Sequence, residues 1–213
     1  DLMPSEDKHQ FKKIELGKFK INQDLKNIAS YEKIFKNKIN LIPINFKKGD
    51  ILFFNKKNYI ATISDANLKI KLIKDLFHLK LNGNFLDDKL SLDWKIKDID
   101  NTKYNETIFK MSNMNFATKI KYEKSYKKKG IKNGNISIKK ERSKINAIFD
   151  YFENKLIIKK SNLRNAFVDG KLIGKIDLLP YFKFDLDLTL NSLNFTKLYN
   201  NFLSLDEISK KNI

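Results

Sequence analysis

The sequence predicts a mainly β protein, an antiparallel sheet with one or two short helices. Three observations carry that prediction. Apolar and polar residues alternate at period two in run after run, as half-buried strands require. The runs are roughly 6–10 residues long and polar turn residues separate them. Within Asn162–Tyr199, Asp169-Gly170 stands between two alternating runs, the pattern of a two-residue hairpin turn.

That turn sets an expected register, with Val168 opposite Lys171, Phe167 opposite Leu172, Asn165 opposite Gly174 and Leu163 opposite Ile176. Pro180, which has no N–H to donate, is expected to interrupt the ladder. Beyond it Phe182, Phe184, Leu186, Leu188 and Leu190 share one face, and Lys183, Asp185, Asp187 and Thr189 share the other. One side of such a sheet is apolar and the other is wet, so function turns on what covers the apolar side.

Taken in order, residues 1–10 form a polar lead-in, and Ile14, Leu16, Phe19 and Ile21 suggest one or two short strands around Gly17. Leu25, Ile28, Tyr31 and Phe35 have helical spacing, with Asn22 or Asp24 as cap. Pro43 makes Ile39–Phe46 an edge or broken strand. Ile51–Phe54, Tyr59–Ser64 and Asn67–Ile73 read as short separate strands. Phe77, Leu79, Leu81 and Phe85 are answered by Leu90, Leu92, Trp94 and Ile96 across an Asp87-Asp88 turn. Asp98–Asn105 reads as a polar loop. Another alternating run comprises Met114, Phe116, Thr118, Ile120 and Tyr122, and Glu123–Asn133 reads as a lysine-rich loop. Asn135–Lys139, Lys144–Tyr151 and Lys155–Lys160 lead into the hairpin. After it, Lys197–Leu203 is expected to be a short helix behind a Thr196 cap, with Leu198 and Phe202 on one side. Residues 206–213 are a polar tail, which leaves 11–205 as the sheet. Phe85–Leu90 (FLDDKL) and Phe167–Leu172 (FVDGKL) match, each behind an Asn-Leu-basic triplet, in keeping with a sheet that grows by repeated hairpins.

At 213 residues the chain is long enough to bury a core as one large or two small domains. It starts at Asp1 with no signal peptide, as a segment of a longer protein would. No apolar run approaches the roughly 20 residues that span a bilayer, so any membrane anchor is expected outside it. The absence of cysteine excludes disulfides and thiolate chemistry, and it is compatible with an oxidising compartment. The formal charge is +18, but Arg142 and Arg164 are the only arginines. Nucleic-acid readers favour the arginine fork, and here phenylalanine and lysine segregate to opposite faces, so no nucleic-acid partner is expected. Two accounts of the lysines stand: the codon bias of an AT-rich genome, or attraction to an anionic membrane surface at about 1 kcal/mol per residue.

Catalysis finds little support. His9 and His78 read as solvated surface histidines, and Asp185 with Asp187 as a wet strand face balanced by Lys183. No histidine or carboxylate pattern has metal-ligand spacing, and no glycine-rich loop precedes a helix. The expectation is a protein that is not an enzyme, with no cofactor and no metal. An outer-membrane barrel would need girdles of tryptophan and tyrosine, whereas the chain has 17 Phe and 1 Trp.

Residues 145–203 carry a resemblance. The succession of Ile145, Ala147 and Phe149, then Leu156 and Ile158, Asn162-Leu163-Arg164, Asp169-Gly170, Gly174, Pro180-Tyr181-Phe182, the Phe184/Leu186/Leu188 strand and Leu193–Leu198 resembles the AsmA-like family of bacterial envelope proteins. Gly49-Asp50 and Gly83 give the upstream strands the same style. The resemblance implies a periplasmic protein anchored in the inner membrane by a helix outside this segment. It implies a long, curled sheet with an apolar groove, similar to bridge-like lipid transfer proteins, and a part in phospholipid movement and outer-membrane assembly.

The resulting expectation is a mainly β, long antiparallel, curled sheet whose groove shields phospholipid acyl chains. The residues expected to line it are Phe149, Leu156, Ile158, Leu163, Phe167, Leu172, Ile176, Phe184, Leu186 and Leu188. The alternative is a closed β-sandwich, structural or adhesive, with no ligand.

Overall fold

A computed structural model of the chain describes residues 13–24, 41–100, 102–125, 130–177 and 182–200. The chain is mainly β, as its alternation dictates. Thirteen strands form one sheet in the order β1-β3-β4-β5-β6-β7-β8-β9-β10-β11-β12-β13, with β2 also on β3. The order is open rather than closed into a barrel. From β3 (Leu41–Asn55) onward the sheet neighbours are consecutive in sequence, a meander, and the ladders from β3 to β6 and from β8 to β13 are antiparallel. β1 (Ile14–Gly17) and β2 (Lys20–Asp24) run parallel to β3, either side of the break at Lys18, whose φ is 49°. The two short strands expected around Gly17 are therefore present. The helix expected over 24–36 lies outside the described residues, apart from Asp24, which ends β2. Pro180, the lead-in and the tail lie outside them as well.

The chain divides into two compact units. The first holds β1 to β6 with residues 109–112, and the second holds residues 100–108 and 113 onward. In the first, β4 (Asn58–Ile73), β5 (Leu76–Phe85) and β6 (Asp88–Ile99) stack their apolar positions in rows: Leu68-Leu81-Leu92, Ile70-Leu79-Trp94 and Leu72-Phe77-Ile96. Ile51, Ile63, Ala66, Leu68, Leu81 and Leu90 form its buried core. The rings of Phe77 and Trp94 meet edge to face at 5.1 Å beside it. The strands are longer than the sequence suggests because bulges absorb what look like breaks. Pro43 lies where the β3–β4 register shifts between Leu41 and Ile44, and Asp65, with φ of 50°, lies at the shift between Ser64 and Asn67. The β5–β6 turn is Leu86-Asp87 rather than Asp87-Asp88. Both residues have the positive φ a type I′ turn needs, and Phe85 pairs with Asp88.

The expected polar loop over 98–105 is instead the end of β6 and the start of β7 (Thr102–Met111). In the second unit follow β8 (Phe116–Ser125), β9 (Lys132–Lys140), β10 (Ser143–Phe152), β11 (Lys155–Arg164), β12 (Val168–Asp177) and β13 (Lys183–Leu193). Met114 precedes β8 in an exposed turn. Among the described residues one short helix, α1, covers residues 195–200. Its cap is Asn194, not Thr196: the Asn194 Oδ1 accepts from the N–H of Lys197 at 3.0 Å.

The central hairpin differs from its expected form. Asp169 and Gly170 lie within β12, and the turn is Asn165–Phe167. Asn165 builds it by accepting from the N–H groups of Phe167 (2.9 Å) and Val168 (2.7 Å), while its own N–H donates to the Val168 carbonyl at 2.8 Å. Arg164 and Asp169 close the pair across it at 3.3 Å. None of the four expected pairs forms. Leu163 faces Gly170, Ile158 faces Gly174 and Leu156 faces Ile176.

Candidate functional site

In the second unit one face of β8 to β13 is apolar, and the register lays it out in four rows. Thr118, Ile138, Ile145, Leu163, Gly170 and Leu190 form the first. Ile120, Ile136, Ala147, Ser161, Leu172 and Leu188 form the second, and Tyr122, Gly134, Phe149, Ile158, Gly174 and Leu186 the third. The fourth holds Lys124, Lys132, Tyr151, Leu156, Ile176 and Phe184. Nine of the ten residues expected to line a groove therefore share this face. The exception is Phe167, which sits in the turn between β11 and β12.

Two features keep the face continuous where the β11 register slips. At the bulge between Ile158 and Leu163, the buried Ser161 hydroxyl stands in for the ladder, donating to the Leu172 carbonyl and accepting from its N–H, each at 2.6 Å. The i, i+2 pattern gives no sign of this residue, because serine counts as a polar position there. Gly174, with φ of 136°, lets β12 run against β13: a Cβ there would collide with the Asp185 carbonyl and lie 2.9 Å from the Leu186 Cα.

Exposure rises along the face. Ala147, Phe149 and Ile158 are buried at 7–9%, Leu156, Leu163, Leu172, Ile176 and Leu186 are half-buried, and Leu188 and Phe184 are exposed at 53% and 64%. Among the described residues the β13 end of the face stands open at Leu188 and Phe184. A cation stands at one end. The Lys132 ammonium lies 5.3 Å from the Tyr122 ring centre and 5.4 Å from that of Tyr151, with Lys124 directly opposite on β8.

The reverse face is wet and ion-paired. Glu106 meets Lys119 at 2.9 Å and Lys121 at 3.5 Å; the Lys119 hydrogen bond is the main reason its carboxyl is held below the usual range. Asp150 accepts from Asn133 and pairs with Lys159. In the first unit His78 is engaged rather than freely solvated: its Nε2 lies 2.9 Å from Asp93, with Lys95 at 3.5 Å and Lys80 at 3.7 Å from the same carboxylate. Burial pushes the Asp93 carboxyl up, and the His78 hydrogen bond with the Lys95 and Lys80 charges outweighs it, so the net shift is downward. Among the described residues no cluster of three or more histidines and carboxylates is placed to hold a metal ion. None of the described helices is long and apolar enough to cross a membrane.

No family model matches the chain, and no curated protein and no solved structure matches it.

Proposed function

We propose that this chain is a segment of an AsmA-like envelope protein and that the apolar face of β8 to β13 forms a curled groove for lipid acyl chains. The observation that supports the reading is the four-row apolar face across six strands, exposed at its β13 end at Leu188 and Phe184. Such a face needs a cover, and a sheet, a helix or a ligand can supply it. Each acyl CH₂ laid there gains about 0.8 kcal/mol, so a partly sheltered tail is held by several kcal/mol. The headgroup stays at the rim, where Lys124 and Lys132 offer charge without a shaped cavity, so selectivity among phospholipid headgroups is poor. In this reading the segment works in the periplasm, its parent protein is anchored in the inner membrane outside the segment, and it supports phospholipid transport and outer-membrane assembly.

The test is a photoreactive residue at Phe184 or Leu186, with lipid adducts sought after illumination in cells, together with circular dichroism of Leu186→Asp. The groove predicts adducts, and a Leu186→Asp protein that folds but takes up no lipid, because an unpaired carboxylate beside hydrocarbon is costly. No adduct together with global unfolding of Leu186→Asp would replace the groove with a closed, ligand-free core.

A further inference from the structure

The wet face of the second unit carries an unbalanced row of charge. Several cations on that face meet carboxylates, as Lys119 and Lys121 meet Glu106 and Lys159 meets Asp150. Toward the β9–β10 turn that balance fails: Lys144 on β10 stands directly opposite Lys139 on β9 and Arg164 on β11. Like charges directly opposite one another destabilise a sheet. Asp169 meets the Arg164 Nε at 3.3 Å, and among the described residues no carboxylate meets Lys139 or Lys144. Both arginines of the chain are at this end, since Arg142 stands beside Glu141 in the β9–β10 turn.

Beside this row, on the same face of the same strands, stand two more: Ser137-Asn146-Asn162, then Asn135-Ile148-Lys160. They wall an open depression of about 280 Å³. Its floor is the backbone of Ile136, Ala147 and Ser161, whose side chains belong to the apolar face. The volume is below the roughly 300–1,000 Å³ of sites for drug-sized ligands and suits a single sugar ring. Among the described residues no hydrogen bond engages the side chains of Asn135, Ser137, Asn146 or Asn162. Each amide can both donate and accept, which is what a hydroxyl group asks of a partner. Ile148, 49% exposed, offers apolar surface to the C–H groups of a ring. The Arg164 fork and two ammonium groups one row away match the oxygens of a phosphate. We infer that this patch binds a phosphorylated sugar, with the ring over Ile148 and the asparagines and the phosphate on Lys139, Lys144 and Arg164. The inference does not rest on the lipid reading, because the two sites lie on opposite faces of the sheet.

Isothermal titration of the whole chain with glucose 1-phosphate, glucose and inorganic phosphate tests it. The expected result is saturable, one-site binding of glucose 1-phosphate, about tenfold tighter than either glucose or phosphate alone. Asn135→Ala combined with Asn162→Ala removes that advantage and leaves glucose 1-phosphate bound no tighter than phosphate. Lys144→Gln combined with Arg164→Gln weakens both phosphate-bearing probes about tenfold. These four side chains are exposed, so circular dichroism of both variants stays unchanged. Lys56→Gln with Lys57→Gln, which takes the same charge from the β3–β4 turn, leaves binding as it was. Phosphatidylcholine vesicles carrying a polyprenyl phosphoglucose distinguish the source of the sugar. Sedimentation of the chain with them, reversed by glucose 1-phosphate, upholds the site for a lipid-linked sugar; binding of the free compound without sedimentation upholds it for a soluble one. Wild-type chain that binds none of the probes, or binds glucose 1-phosphate no tighter than phosphate, would overturn the inference. So would an equal loss of binding in the Lys56/Lys57 variant, which means diffuse attraction of anions to the whole surface.

Discussion

Gly134 and Phe149 are direct partners across β9 and β10, and the Phe149 ring occupies the space a side chain on Gly134 would need. A Cβ on Gly134 would collide first with the Lys121 carbonyl oxygen, and would lie 2.7 Å from Tyr122 Cβ and 2.9 Å from Phe149 Cζ. One residue gives up its side chain so that the buried aromatic at the middle of the face can lie across the ladder. Gly134→Val is expected to destabilise the chain by about 1–3 kcal/mol through overpacking. Phe149→Ala is expected to lose about 3–5 kcal/mol through the cavity it leaves. Because the two changes share one space, the double variant should lose less than the sum. Urea midpoints of the three variants check this, and strict additivity would show that ring and glycine are not coupled.

The turn between β11 and β12 rests on Asn165. Asn165→Ala removes the acceptor of two N–H groups and should cost about 1 kcal/mol. Amide exchange should quicken at Phe167 and Val168 and stay slow at Ile158. Gly170→Val gives a contrasting result: the Thr189 carbonyl lies 2.7 Å from where its Cβ would be, so protection should fall on β13 around Thr189. Loss confined to 165–168 in Gly170→Val would return Gly170 to a turn role.

Asp93 makes stability depend on acid. Its folded pKa is depressed, so the His78 and lysine contacts stabilise the fold above the unfolded carboxylate value of about 3.9 and are lost as pH falls through the lower folded value. The urea midpoint of the wild type should fall more steeply below about pH 4 than that of Asp93→Asn. Parallel curves for the two proteins would remove Asp93 from the account.

A carboxylate walked along the apolar face should be tolerated in proportion to exposure. Phe149→Asp, at a 7% exposed position, should unfold the chain, and Leu188→Asp, at 53%, should leave it folded. Circular dichroism and urea titration of both variants decide it. Unfolding in both would mean that β13 is covered in solution.

Which face a strand presents was legible in the sequence, because the pleat forces period two and bulges seldom disturb more than one side of it. That is why Leu172 with Ile176, and Phe184 with Leu186 and Leu188, fall together, whereas Leu163 joins Leu156 and Ile158 only because the bulge between them switches the parity of β11. Which residue pairs with which was not legible. Asp-Gly signals a hairpin because glycine tolerates positive φ, yet this chain makes type I′ turns from Leu86-Asp87 and Glu153-Asn154. It uses Gly170 and Gly174 where β13 comes close. Phe167 was misplaced by that one reading. β7 was missed because Tyr104, Glu106 and Ile108 mix charge with apolar residues at one parity, while Asn105, on the other, is buried.

The meander from β3 to β13 has a consequence for how the chain is made. Every ladder there joins segments adjacent in sequence, so contact order is low and each hairpin can zip as soon as its second strand leaves the ribosome. Growth is then vectorial, with the newest strand always the template for the next. Inserting or deleting two strands leaves the sidedness of all the others intact, so the span of the surface can be tuned in evolution one hairpin at a time.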